Sequence, residues 1–159
     1  MSATGIDDAP LSAARWLGLA AVPRASGEAG EHETIALDVE ELLNHTRFDR
    51  GDMPAGGAAT SLLRYGLRCY AGRHVDEAFL RTLSRDIAAA LARFEPRLDP
   101  GSIEVQPLQG ARHVRSQCRL RLSARLKRGG PAIDWRIRFD ADFGRVAIDR
   151  GAAQAGMRG

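Results

Sequence analysis

The sequence predicts an α+β fold, with N-terminal helices and one long helix packed on an antiparallel β-sheet of about four strands. Residues 76–94 carry apolar side chains at helical spacing, whereas residues 114–127 and 133–141 alternate apolar and polar side chains with period two. Short glycine-containing stretches separate the alternating runs, which is typical of strands joined by tight turns. Helices therefore come first along the chain, and a meander of strands follows.

The long helix is predicted over Asp76–Phe94. Its apolar residues recur every three or four positions and form one stripe, namely Leu80, Leu83, Ile87, Leu91 and Phe94. Charged residues occupy the other faces. The stripe must lie on an apolar surface, and the sheet that follows provides one.

Two strands are predicted from strict alternation. In "VRSQCRLRLSARLK" (Val114–Lys127) the even positions are mostly apolar and the odd ones polar, and residues 133–141 repeat the pattern after the turn "RGGP". The stretch "DFGR" predicts a second turn before a strand with Val146 and Ile148, and "SIEVQ" can add a strand before the other three. The sheet is therefore predicted to be an antiparallel meander.

The N-terminal part is predicted to divide near Thr34, which is a suitable N-cap for a helix. The apolar face of that helix carries Ile35, Val39, Leu42 and Leu43. A short helix is predicted in "SLLRYG" after a loop rich in Gly and Pro. The predicted organisation is a flexible acidic leader over residues 1–33, an α+β domain over 34–150 and a disordered tail over 151–159.

Charge is distributed unevenly along the chain. Residues 1–60 carry four Arg and ten Asp or Glu, whereas residues 61–159 carry nineteen Lys or Arg against ten Asp or Glu. The folded part is therefore basic, and its sign alone does not choose among nucleic acid, anionic lipid and an acidic protein as partner. No stretch is predicted to be a signal peptide or to span a bilayer.

Neither a catalytic site nor a metal or cofactor site is predicted. Four carboxylates could in principle serve a glycosidase, but none stands in a recognisable catalytic motif: Glu95, Asp99, Asp134 and Asp140. The four histidines show no metal-ligand spacing, and Ser61 and Ser84 lack the G-x-S-x-G motif. Cys69 and Cys118 form no C-x-x-C motif and are predicted to be free thiols.

The polar face of the predicted sheet is rich in arginine: Arg115, Arg119, Arg121, Arg125, Arg136 and Arg138. Such a face can follow phosphates, which makes an arginine-rich nucleic-acid-binding domain one alternative. It has no aromatic residue for base stacking, because Trp135, Phe139 and Phe143 share the register that is predicted to face the core. A solvated face partly neutralised by aspartates is favoured. A protein interface at Arg119, Arg121, Arg136 and Arg138 stays open.

The long helix ends in "FEPRL", where opposite charges flank a proline. Pro96 disfavours the helical conformation at the residue before it, so the helix is predicted to stop at Glu95. One interpretation is an internal ion pair or cap. The other is a polar docking point for a partner, because Arg97 can bind a carboxylate through two hydrogen bonds and the proline fixes its direction.

Four stretches resemble, in order and spacing, the family of contractile-injection baseplate proteins. They are "LLNHTRF" (Leu42–Phe48), "SLLRYGL" (Ser61–Leu67), "FEPRL" (Phe94–Leu98) and "RIRFDADFGRVAID" (Arg136–Asp149). The resemblance covers about residues 34–149. The family includes the TssE subunits of type VI secretion systems, to which the resemblance is greater, and the wedge proteins of contractile phage tails.

The resemblance implies a structural role without enzymatic activity and without a cofactor. The implied protein is a cytoplasmic baseplate subunit, assembled near the inner membrane through TssF, TssG and TssK, on which the first ring of sheath subunits is laid. The motif Glu95, Pro96 and Arg97 is implied to dock on the wedge core, and the sheath is implied to extend the sheet. Some members carry a "lysozyme-like" label, so a muramidase-like peptidoglycan hydrolase is the other alternative.

Overall fold

The structure is a computed structural model that describes residues 28–47, 64–108 and 116–149. Two helices and four strands follow one another along these residues: α1 (Glu28–Asn44), α2 (Glu77–Phe94), β1 (Glu104–Pro107), β2 (Gln117–Ala124), β3 (Ile133–Asp140) and β4 (Arg145–Asp149). A 3₁₀ turn, Pro100–Ser102, precedes β1. The α+β prediction is confirmed.

The four strands form one antiparallel sheet in the order β1-β2-β3-β4, as the meander prediction required. The register places Leu120 opposite Ile137 and Leu122 opposite Trp135. These four residues are buried, whereas their neighbours along each strand are exposed or half-buried. The two-residue alternation in the sequence therefore predicted correctly which side chains lie on the buried face of the sheet and which on the exposed face.

Both helices cover the apolar face of the sheet, α1 mainly against β4 and α2 mainly against β1, and they also contact each other. The core between the two layers includes Ile35 and Leu43 from α1, Leu83 and Leu91 from α2, and Phe139 from β3. Burial of these apolar side chains is the main force that holds the helices on the sheet.

Helix α2 has the predicted limits. Asp76 is its N-cap, and its Oδ1 accepts a hydrogen bond of 2.7 Å from the backbone N–H of Phe79. The last helical residue is Phe94, and Glu95 takes φ −113° and ψ 88° before Pro96. Steric conflict with the proline ring disfavours the helical conformation at Glu95, so the predicted stop is confirmed.

Helix α1 begins at Glu28, so the prediction of Thr34 as its N-cap was wrong. Thr34 lies inside the helix, and its hydroxyl donates to the Gly30 carbonyl oxygen at 2.8 Å. A threonine inside a helix satisfies its hydroxyl in this way, and sequence alone does not separate the two uses.

The placement of Phe143 in the core was also wrong, because its side chain is 77% exposed. Strand β3 ends at Asp140, and residues 141–144 form the turn to β4. Asp140 Oδ1 accepts from the backbone N–H groups of Asp142 and Phe143. Ala141, the first residue of the turn, is still buried, but the chain turns after it, so the register of β3 does not extend to Phe143.

Several predictions concern residues that lie wholly or partly outside the described ranges. Residues 1–27 of the predicted leader, the predicted tail and the first three residues of "SLLRYG" lie outside the described residues, while residues 28–33 are helical. Among the described residues, none of the helices has the length and apolar character that crossing a bilayer requires.

Candidate functional site

The corner after α2 brings together two of the predicted docking residues and one residue from α1. Arg97 Nη2 lies 2.6 Å from Glu95 Oε2 and 2.6 Å from Asp38 Oδ2, and Arg97 Nε lies 2.6 Å from Glu95 Oε1. The guanidinium thus binds Glu95 through two hydrogen bonds and Asp38 through a third. We call Asp38, Glu95 and Arg97 the triad.

The triad is buried. Glu95 is 2% exposed, and the side chain of Arg97 is 9% exposed. Burial by itself disfavours the charged guanidinium, but hydrogen bonds and charge interactions with Glu95 and Asp38 raise the pKa of Arg97 above its ordinary value. Arg97 therefore stays charged, and each carboxylate has the positive partner that a buried charge requires.

Backbone bonds fix the corner to the sheet. The Leu98 N–H donates to the Glu95 carbonyl at 3.2 Å, which closes a turn with Pro96 at its second position. Lys127 N–H donates to the Arg97 carbonyl at 2.9 Å, beyond the end of β2. The chain direction at Pro96 is therefore set by the turn and by the sheet together.

The burial of the triad answers why a glutamate ends α2, where the helix dipole disfavours a negative charge. Glu95 is held by Arg97, which corresponds to the internal ion pair considered above. Sequence reasoning missed Asp38. One signal was available, since Asp38 is an acidic residue between Ile35 and Leu42 on the apolar face of α1 and so required a buried partner.

Tyr65 adjoins the triad. Its ring packs edge-on against Phe94 at 5.4 Å between centroids. Burial, and after it the negative charges of Glu41, Asp38 and Glu95, raise the pKa of the Tyr65 hydroxyl above its ordinary value. Tyr65 therefore stays neutral beside the triad.

The two edges of the sheet differ. The side chain of Asn44, the last residue of α1, accepts from the Val146 N–H at 2.8 Å and donates to the Val146 carbonyl at 2.9 Å. Glu40 Oε2 accepts from the Ile148 N–H at 3.1 Å. Side chains of α1 thus take the place of a further strand along β4, so that edge is closed.

The edge at β1 has no such cover within the described residues. Leu108 N–H donates to the Arg119 carbonyl, so the alternation of an antiparallel pair directs Gln106 and Glu104 towards β2. The N–H and C=O of Val105 point the opposite way, and no described strand lies on that side. This edge is short and includes Pro107.

The outer face of the sheet holds the four arginines predicted as a possible interface. Arg119 lies opposite Arg138 and Arg121 lies opposite Arg136 in the register of β2 and β3. Arg121 Nε donates to Asp134 Oδ1 at 2.9 Å, and this hydrogen bond is the main reason that the pKa of Asp134 lies below its ordinary value. The structure thus places all four arginines on one face.

The candidate catalytic carboxylates all accept hydrogen bonds within the protein. Glu95 and Asp134 bind arginines, and Asp99 and Asp140 accept from backbone N–H groups in turns. Among the described residues, no group of three His, Cys, Asp or Glu side chains is arranged to hold a metal ion.

Comparison with protein families matches residues 29–130 to the family described as "Baseplate wedge protein gp25". The match spans most of the chain and includes α1, α2, the triad, β1 and β2. Searches among curated proteins and among solved structures found no match.

Proposed function

Since the chain belongs to the baseplate wedge protein gp25 family and is thus a structural component of a baseplate, we propose that it serves in a type VI secretion system. There it docks on a wedge core of TssF, TssG and TssK and receives the first sheath subunits. In this role the protein lies in the cytoplasm, and its partners hold it near the inner membrane.

The difference between the two sheet edges is the observation that carries the sheath proposal. Asn44 and Glu40 occupy the backbone groups of β4, whereas the outer groups of Val105 in β1 have no described strand beside them. A sheath strand that extends the sheet therefore pairs with β1. Backbone hydrogen bonds supply the affinity in such strand addition.

The corner at Glu95, Pro96 and Arg97 is the proposed wedge attachment. The two charges face inward, so they position the corner and do not offer free charged groups to a partner. Pro96 is half-buried and stands at the second position of the turn. A corner held by buried ion pairs and a proline loses little conformational entropy when it binds, which favours docking.

The sheath proposal is tested with Val105→Pro and Val105→Ala. Proline removes the outward N–H that an added strand would use, while alanine keeps the N–H and only shortens the side chain. We expect the alanine variant to recruit sheath subunits to purified baseplates and the proline variant to fail, with both folded by circular dichroism. Equal recruitment by the two variants would exclude β1 as the sheath edge.

The wedge proposal is tested by co-purification of tagged full-length protein with TssF, TssG and TssK. Pro96→Ala is compared with Pro100→Ala, because Pro100 is an exposed proline of the neighbouring 3₁₀ turn. We expect capture by the wild type and the Pro100 variant, and weaker capture by the Pro96 variant. Absence of capture by the wild type would refute the type VI assignment, while equal capture by all three would refute only the attachment at Pro96.

A further inference from the structure

The outer face of the sheet contains two arginines that oppose each other directly. Arg119 and Arg138 are cross-strand partners in β2 and β3. The Arg119 carbonyl binds Leu108 on the β1 side, so the backbone of Arg119 does not pair with Arg138. At such non-hydrogen-bonded positions the two Cα atoms approach to about 4.5 Å, closer than at hydrogen-bonded positions. The two side chains therefore extend from neighbouring positions on the same face of the sheet.

These two arginines have no carboxylate partner within the described residues. Arg121, one step along β2, pairs with Asp134, whereas no ion pair joins Arg119 or Arg138 to a described carboxylate. Like charges at opposite positions of a sheet destabilise it. The pair thus places two positive charges without a described ion-pair partner side by side on the surface.

A groove lies beside these two arginines. A cavity of about 350 Å³ runs over β3 and β4 beside Arg119, and Arg136, Arg138 and Asp149 line it. Ala147 lies opposite Arg138 and belongs to the lining, and its small side chain leaves space beside the longer arginines. The guanidinium groups can therefore reach a chain segment that lies in the groove.

We propose that this groove docks an acidic segment of a partner protein, with Arg119 and Arg138 binding its carboxylates. Arg119 and Arg138 extend from neighbouring positions of two strands on the same face, so both can reach carboxylates of one extended segment. An arginine binds a carboxylate through two parallel hydrogen bonds, which suits a planar acidic group. The proposal concerns the face of the sheet and is independent of the proposed use of its β1 edge.

A protein segment fits this face better than a nucleic acid does. The outer faces of the four described strands carry no aromatic side chain on which a base could stack. Asp134, Asp140 and Asp149 lie on the same face as the arginines, and a phosphate backbone with a charge on every nucleotide would pass close to them. A segment with separated carboxylates can place them at Arg119 and Arg138 and neutral residues beside the aspartates.

The test uses full-length protein and fluorescence anisotropy of a labelled peptide that alternates glutamate and serine. A peptide with glutamine in place of glutamate is the neutral probe, and single-stranded DNA of similar length is the other polyanion. The double variant Arg119→Gln, Arg138→Gln is compared with Arg85→Gln, Arg93→Gln. Arg85 and Arg93 are exposed arginines of α2, so both pairs remove the same charge.

We expect the glutamate peptide to bind the wild type more tightly than the neutral peptide does. Its affinity should fall about tenfold or more in the sheet variant, through loss of two charge-assisted contacts. In the helix variant it should change by less than about twofold, because distant exposed charges are screened. Arg138→Gln alone should give an intermediate loss.

Three results would overturn the proposal. They are equal binding of the glutamate and glutamine peptides, equal loss in the sheet and helix variants, and tighter binding of DNA than of the glutamate peptide. The thermal unfolding temperature of each variant is measured alongside. Removal of a like-charge pair is expected not to lower it.

Discussion

Arg97 Nη2 lies 2.6 Å from Asp38 Oδ2, and this contact joins the turn after α2 to the middle of α1. Asp38 is fully buried, and Glu95 on the other side of the guanidinium is nearly so. The motif that the sequence predicts as a docking point is therefore part of the core. Substitutions of Glu95 or Arg97 are therefore expected to lower the stability of the fold, whatever they do to the binding of a partner.

Replacement of Arg97 by alanine should lower the free energy of unfolding by about 3–5 kcal/mol, because two buried carboxylates lose their positive partner. Urea unfolding measures the change. Arg93→Ala at an exposed position of α2 is the control and should stay within about 0.5 kcal/mol of the wild type. A loss below about 1 kcal/mol for Arg97→Ala would contradict the importance of the triad.

Asn44→Ala should destabilise the protein by about 1–2 kcal/mol, because it removes both hydrogen bonds to Val146. It also opens the edge of β4, and an open edge promotes self-association. Urea unfolding and sedimentation velocity measure the two effects. Asn44→Asp keeps the acceptor for the Val146 N–H and should lie between wild type and Asn44→Ala.

Arg138→Glu should stabilise the β2–β3 pair by about 0.2–1 kcal/mol, since it places a negative charge opposite Arg119. Arg145→Glu is a control with the opposite expected effect on stability, because Arg145 lies opposite Asp140 and the substitution creates a like-charge pair. Thermal unfolding should therefore shift upward for the first variant and downward for the second. Shifts of the same sign would show that net charge, and not the register, governs both.

Gly66→Ala should cost about 3 kcal/mol or more. Gly66 has φ +101°, and a Cβ there would stand 2.1 Å from the His45 carbonyl oxygen, which accepts the hydrogen bond of the Leu67 N–H. Gly72→Ala at φ +74° meets no atom within 4 Å and should cost only about 1–2 kcal/mol. Equal losses in urea unfolding would mean that the backbone at residue 66 can move away from His45.

Cys69 and Cys118 should differ in reactivity. Cys69 is exposed, whereas burial raises the pKa of the Cys118 thiol to about 11. Iodoacetamide at neutral pH should modify Cys69 in the native protein and Cys118 only after unfolding, as read by mass spectrometry.

The raised pKa of Cys118 also predicts a loss of stability in alkali. The unfolded thiol ionises near its ordinary value of 9.0, while the folded one stays protonated until about 11. Its contribution to stability is therefore complete below 9.0 and is lost as the pH rises to about 11. In Cys118→Ala this part of the pH dependence should disappear, and its persistence would assign the loss to other groups.

Local patterns predicted most of the fold. The two-residue alternation of β2 and β3 gave the buried and exposed faces, and Asp76 and Pro96 gave the limits of α2, because each is a property of neighbours along the chain. The same reasoning failed for Phe143, since alternation does not reveal where a strand ends. It also failed for Thr34, whose hydroxyl serves inside the helix.

The sequence by itself determined the α+β class, the face of each strand and the place where α2 stops, because neighbouring residues decide these features. Only the tertiary structure decided that Glu95 and Arg97 turn inward to Asp38, and that Asn44 closes the β4 edge while β1 stays open among the described strands. Both relationships join residues far apart in sequence. Such contacts depend on how the helices cross the sheet, which no local pattern specifies.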